Sequence, residues 1–425
     1  MPESPDIFPI RTAWGLEYKV EAGNLPFKVV WELNSDLEAA AIFANGGISQ
    51  VLSDVDEANV LDICDRSPQA IEQAYYIAGR SIVIPSVEQY WQISQTPYNA
   101  IQISGWGFNP IVDSSIGSFG ETTQIVNLPR DNQNYRDIRP NATATTILKD
   151  GKMIKQARDY LFPGAYTEAE VIKKVGSELA LWNLLTDNGI NWDIPFHIPI
   201  PLLIGRYTGL ADPKGKPAYF YASLVPYSGM RDGILLNRSQ ESIYSILDNS
   251  PRIGYALSEL HKLGLAHNQA GVGNISTVYM RYGQIPLLAD WGTATPLDLR
   301  PVRNPITRRA VRNYGRAHDL FSVLLHTLNL VNVPRDQTLI AVQMVLSDLL
   351  FNYGALSENN AHKLEESTIQ MLRYPDHADF HIAQFLDDAE DDGILPRQPR
   401  IRSIQKQSVG QLNYWERRMQ QIRRV

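Results

Sequence analysis

The chain has 425 residues, 44% of them apolar and 20% charged, with a formal net charge of -7; this is enough for a sizeable core in one large or two to three ordinary domains, and the acidic balance argues against a general nucleic-acid binder. A single cysteine, Cys64, excludes an intrachain disulfide framework and points to a reducing compartment. The opening MPESPDIFPIRTAWG has no basic region leading into an apolar segment, and no run of about 18 apolar residues follows, so a cytoplasmic protein that neither is exported nor spans a membrane is expected.

Residues 1–95 read as an amino-terminal α/β domain of unknown function. Within it FKVVWEL (27–33) predicts a strand and LEAAAIFANG (37–46) a helix stopped by Asn45, Gly46 and Gly47. NVLDICD (59–65) predicts a buried strand, and SPQAIEQAYYIAG (67–79) a helix with Ser67 as cap and Pro68 in the first turn.

The stretch 101–142 is one strand followed by a Gly-, Asn-, Asp- and Pro-rich segment that supplies turns. TATTILKDG (143–151) and KMIKQAR (152–158) pair as a hairpin about Asp150-Gly151. A helix over 167–189 starts at Thr167, stops at Asn188-Gly189 and lines up Val171, Val175, Leu179, Trp182 and Leu185 on an apolar face. IPIPLLIG (198–205) and AYFYASLV (218–225) read as strands, and 243–249 and 251–264 as helices. STVYM (276–280) and IPLLADWG (285–292) are strand-like, and two helices follow over 316–331 and 337–351. The tail turns from acidic (FLDDAEDDG, 385–393) to basic, and a structural capping role is expected of it.

Two polar residues stand at strand ends in the middle of the chain. Asn274 closes a loop containing Gly271 and Gly273, and Asp290 ends the apolar run before Trp291-Gly292. A carboxylate and an amide oxygen at one sheet edge are hard oxygen ligands suited to Mg²⁺, completed by phosphate and water. Lys155 lies inside the strand KMIKQAR and Glu178 in the next helix; as an ion pair they orient a triphosphate.

LSELHKLGLAHNQAGVGNISTVYM followed by IPLLADWGTA resembles the catalytic and metal loops of protein kinases and related small-molecule phosphotransferases. His267 matches the family histidine, Asn268 replaces the arginine, and Gln269 stands where the catalytic aspartate belongs. Asn274 matches the metal-binding asparagine and Asp290-Trp291-Gly292 the metal-loop triplet, while Lys155 and Glu178 match the strand lysine and helix glutamate. YASLVPYSGM (221–230) resembles the hinge that contacts adenine, with Val225 and Tyr227 as backbone contributors. Asp319 resembles the aspartate that braces the catalytic loop through backbone N–H groups. The glycine-rich loop has no clear counterpart, SGWGF (104–108, with Gly105 and Gly107) being its candidate relic.

The resemblance implies an α+β, bilobal protein-kinase-like fold with the additional amino-terminal domain: an N-lobe over 96–225 with an insertion near 109–141, a C-lobe over 226–385 and the tail at 386–425. It implies an ATP- and Mg²⁺-binding site. A glutamine has no basic site near neutral pH, so Gln269 points to a pseudokinase-like regulatory or scaffold protein that meets a protein partner through residues 1–95 or the tail. The alternatives are an atypical transferase that uses ATP for AMP transfer or carboxylate activation, and a small-molecule phosphotransferase relative.

Overall fold

The computed structural model describes residues 7–11, 17–21, 27–44, 75–77, 81–85, 91–93, 96–105, 111–112, 145–149, 152–156, 166–187, 196–211, 217–226, 228–231, 250–270, 274–280, 283–331 and 338–421. The fold is α+β, with its strands concentrated before residue 290 and its helices after residue 310.

Ten strands share one sheet: β1 (Ile7–Arg11), β2 (Glu17–Glu21), β3 (Phe27–Glu32), β4 (Tyr75–Ile77), β5 (Ser81–Pro85), β6 (Trp91–Ile93), β7 (Thr96–Ser104), β8 (Ile111–Val112), then, after the separate hairpin β9 (Thr145–Lys149) and β10 (Lys152–Gln156), β11 (Ile200–Ala211) and β12 (Pro217–Pro226). The order β3-β11-β12-β7-β5-β4-β1-β2-β8, with β6 beside β7, interleaves strands from both sides of residue 95. The expected amino-terminal unit thus has no break in the sheet at its boundary. β12 is buried along almost its whole length, which explains the unbroken apolar run of a central strand. Opposite Phe220 the register sets Gly205, and the Phe220 ring fills the space a Cβ there would need.

Two sequence expectations meet different outcomes before residue 95. The helix over 37–46 is present as α1 (Leu37–Ala44), whereas the helix over 67–79 is contradicted at its carboxy-terminal end, where Tyr75–Ile77 is β4, paired with β5. Tyr and Ile are strand formers, and the partner strand decides between two readings of a short apolar run. The strand expected at 59–65 lies outside the described residues.

Helix α2 (Glu168–Asp187) packs behind the sheet. Its start is a reciprocal capping box: Thr167 N–H donates to Glu170 Oε2 at 2.9 Å, and Glu170 N–H donates to Thr167 Oγ1 at 3.3 Å. Trp182 anchors it, edge-on to Phe43 and Tyr98, with the indole N–H donating to the Pro199 carbonyl at 2.9 Å. Beyond the sheet come β13 (Ser228–Arg231), α3 (Ser250–Lys262), β14 (Leu265–Ala266), the hairpin of β15 (Ile275–Met280) and β16 (Gly283–Leu288), and helices α4 (Tyr314–Val331), α5 (Thr338–Tyr353), α6 (Ala361–Arg373) and α7 (Ala378–Asp391). A Cβ on Gly254 would stand 2.6 Å from the Leu349 carbonyl, so α3 and α5 cross backbone to backbone.

The basic tail is α8 (Gln398–Gln421), laid along α2 with Trp415 and Met419 buried. Arg418 donates to both carboxylate oxygens of Asp36, the residue whose Oδ1 accepts N–H groups at the start of α1. Ser408 and Gln405 donate to the carbonyls of Leu263 and Leu297, so α8 ties α1 and α2 to the loop region after α3. No described helix is long and apolar enough to cross a membrane.

Candidate functional site

The site begins at the buried carboxylate of Asp319 on α4. Its oxygens accept the backbone N–H of His267 at 2.7 Å and of Asn268 at 2.8 Å, the brace expected of this residue. They also accept His261 Nε2–H at 3.1 Å, and the Tyr353 hydroxyl donates to His261 Nδ1 at 2.7 Å. Burial works against the charge of Asp319, but the His261 N–H together with the electrostatic pull of His261, His267 and His318 offsets it and holds the carboxyl below its usual range.

His267 has no nitrogen left for chemistry. A carbonyl only accepts, so the 2.8 Å contact with Ala289 O fixes the proton on Nε2; the Gln269 N–H then donates to Nδ1 at 3.3 Å. Burial lowers the pKa of the ring. It is a neutral packing residue, seated edge-on against Trp291. Asn268 holds φ of +65°, a conformation asparagine tolerates, and its amide donates to Thr293 O and Thr295 Oγ1, each at 2.8 Å. The loop is thereby fixed to the segments before and after Asp290.

Asn274 and Asp290 flank the open end of one ladder, Asn274 just before β15 and Asp290 just after β16. Ile275 faces Leu288 across β15 and β16, and the Ala289 N–H donates to the Asn274 carbonyl at 2.7 Å. The Asn274 amide nitrogen donates to Gln269 O at 2.8 Å, which fixes its oxygen as the ligand-type atom. Asp290 takes φ of +66° ahead of Trp291, whose indole N–H donates to His197 O at 2.9 Å.

The cation beside Asp290 is one that sequence reasoning missed. Lys174 Nζ on α2 donates to Asp290 Oδ1 at 2.8 Å and lies 5.3 Å from the centroid of the Tyr166 ring. Its stem runs across Gly292, where a Cβ would sit 3.0 Å from Lys174 Cγ. Burial disfavours the ammonium, but Asp290, by charge and hydrogen bond, together with Tyr166 and Glu178 outweighs it and raises the lysine pKa. Glu178, one helical turn on, is 3% exposed. Its Oε1 accepts the Tyr221 hydroxyl at 3.0 Å, and its Oε2 is buried with no hydrogen-bond partner among the described residues. Burial pushes this carboxyl up to about 8 against the lowering by Lys174 and Tyr221.

The remaining expected residues are dispersed or undescribed. Lys155 stands opposite Thr146 in the separate β9–β10 hairpin, and its side chain lies outside the described residues; among the described residues the cation acting on Glu178 is Lys174. Val225 pairs with Ala100, one position past the last pairing of β12 with β11 at Leu224 and Ile200. Tyr227 and Gly107 lie outside the described residues. Gly105, with φ of +86°, is packed shut: a Cβ there would sit 2.5 Å from the Tyr166 ring and 2.8 Å from Tyr219 O. The side of this glycine on which a Cβ would stand therefore faces the Tyr166 ring and the β12 backbone. Two cavities of about 960 and 510 Å³ lie where α8 meets α2, and none of the residues of this site lines either.

No protein-family model matches the chain, and no curated protein matches it either.

Proposed function

We propose that this chain is a kinase-like protein that binds ATP with Mg²⁺ and carries out little or no ordinary phosphoryl transfer, serving as a pseudokinase-like regulatory or scaffold protein. The observation that carries the reading is the double anchoring of one loop: Asp319 holds the N–H groups of His267 and Asn268, and His267 Nε2 holds Ala289. That anchoring goes with Asn274 and Asp290 at the open end of one hairpin, where the Gln269 carbonyl accepts from the Asn274 amide.

The donor set fits the ion: one carboxylate and one amide oxygen are hard ligands that leave room for phosphate and water. Asp290 and Asn274 would hold Mg²⁺, which would supply charge neutralisation to a bound phosphate. The chain's own part is to hold Asp290 and Asn274 in place and to supply backbone groups near Val225 to the adenine. It offers no base in the described loop. Gln269 is a neutral amide, and both ring nitrogens of His267 are engaged, so no group there takes the hydroxyl proton of an acceptor substrate.

The test is incubation of the full chain with Mg²⁺ and ATP labelled on either the α- or the γ-phosphate, alongside equilibrium binding. The expected result is binding without label transfer from either position. Protein labelling from the α-phosphate would replace this reading with AMP transfer, and pyrophosphate release with no lasting label would replace it with carboxylate activation.

A further inference from the structure

We infer that Lys174 is the resident counter-ion of Asp290, occupying the carboxylate in the absence of metal and crossing to Glu178 when a divalent cation binds. The inference rests on the proposed Mg²⁺ site and names what must move there. An ammonium 2.8 Å from Asp290 Oδ1 and a divalent cation on the same oxygen exclude each other by charge and by space.

The route is short. Lys174 and Glu178 lie four apart on α2, the spacing that brings side chains together on one helical face. Glu178 Oε2 is buried and partnerless among the described residues while Oε1 is held by Tyr221, so the carboxyl is fixed with one acceptor open. The charged and titratable groups around it are Lys174 on the same helix, Tyr98 on β7, Tyr166 before α2, Tyr221 on β12 and Asp290 after β16. Among the described residues Lys174 is their one cation. An arriving ammonium stabilises the ionised carboxylate that burial alone disfavours. Gly292 places no side chain against the lysine stem, where a Cβ would stand 3.0 Å from Lys174 Cγ.

The experiment titrates full-length wild type, Lys174→Met and Asp290→Asn with Mn²⁺ alone, counting free ion by its EPR signal. Removing an internal competitor raises apparent affinity by the inverse of the competent fraction, so Lys174→Met is expected to bind Mn²⁺ about tenfold tighter than wild type, and Asp290→Asn to lose binding. Unchanged or weaker binding by Lys174→Met, with Asp290→Asn still defective, overturns the inference and leaves the metal site standing. Absence of Mn²⁺ binding to both wild type and Lys174→Met overturns the site and the inference together. Lys174→Gln repeats the measurement should Lys174→Met fail to fold. A crystal of wild type soaked in Mn²⁺ decides independently: Lys174 Nζ bonded to Glu178 supports the exchange, and Lys174 still on Asp290 beside a bound ion refutes it.

Discussion

Asp319 accepts the backbone N–H of His267 at 2.7 Å, joining residues 52 positions apart in the sequence at a fully buried carboxylate. The same group takes Asn268 N–H and His261, so its removal strands three donors. Breaking one partner of a buried charged network costs about 3–5 kcal/mol, and Asp319→Ala is expected to lose that much in urea unfolding. A loss below about 1 kcal/mol, the net worth of one ordinary hydrogen bond, would contradict the assigned bracing role.

His267 gives a pH signature. Burial holds its folded pKa below the unfolded value of about 6.5, so the unfolded chain binds more protons and stability contributed by the neutral ring is present above pH 6.5 and lost as pH falls toward the folded value. The difference in unfolding free energy between wild type and His267→Gln is therefore expected to shrink from pH 7.5 to pH 5.5. A difference that stays constant or grows on acidification would contradict a buried neutral imidazole.

Glu178 runs the other way. Its folded pKa of about 8 stands above the ordinary value of 4.5, so the native carboxyl keeps a proton that the unfolded one releases, and stability falls as pH rises through that window. Glu178→Gln removes the titration and keeps an oxygen for the Tyr221 hydroxyl. Its stability relative to wild type is expected to rise between pH 4.5 and 8 and then level off; a flat difference would mean that the carboxyl ionises freely in the fold.

The crossing of α3 and α5 makes a purely mechanical prediction. A methyl group on Gly254 meets the Leu349 carbonyl at 2.6 Å, and backbone cannot rotate aside as a side chain can. Overpacking of this kind costs about 1–3 kcal/mol, so Gly254→Ala lowers the thermal midpoint even though alanine is the better helix former. A midpoint at or above that of wild type would show that the helices separate freely.

Much of the scaffold was legible because it is local. Thr167 and Glu170 announce the start of α2, the sequence around 145–156 the antiparallel pairing of β9 with β10, and the run around Phe220 a strand. The Asp319 brace was legible by resemblance, since its order after the loop is fixed. Lys174 was not: a lysine one turn before a glutamate reads as a solvated helix pair, and only the long-range approach of Asp290 makes it part of a site. The union of β3 with β11 across more than a hundred residues, and the docking of Trp415 against α2, are likewise products of tertiary packing that no local pattern encodes.

Thermal unfolding of the full chain with and without ATP and Mg²⁺, beside Asp290→Ala, tests the central claim most directly, because a ligand that binds only the native state raises its midpoint. The account predicts a rise for wild type that is absent in Asp290→Ala. Identical wild-type midpoints with and without saturating nucleotide and metal would contradict it.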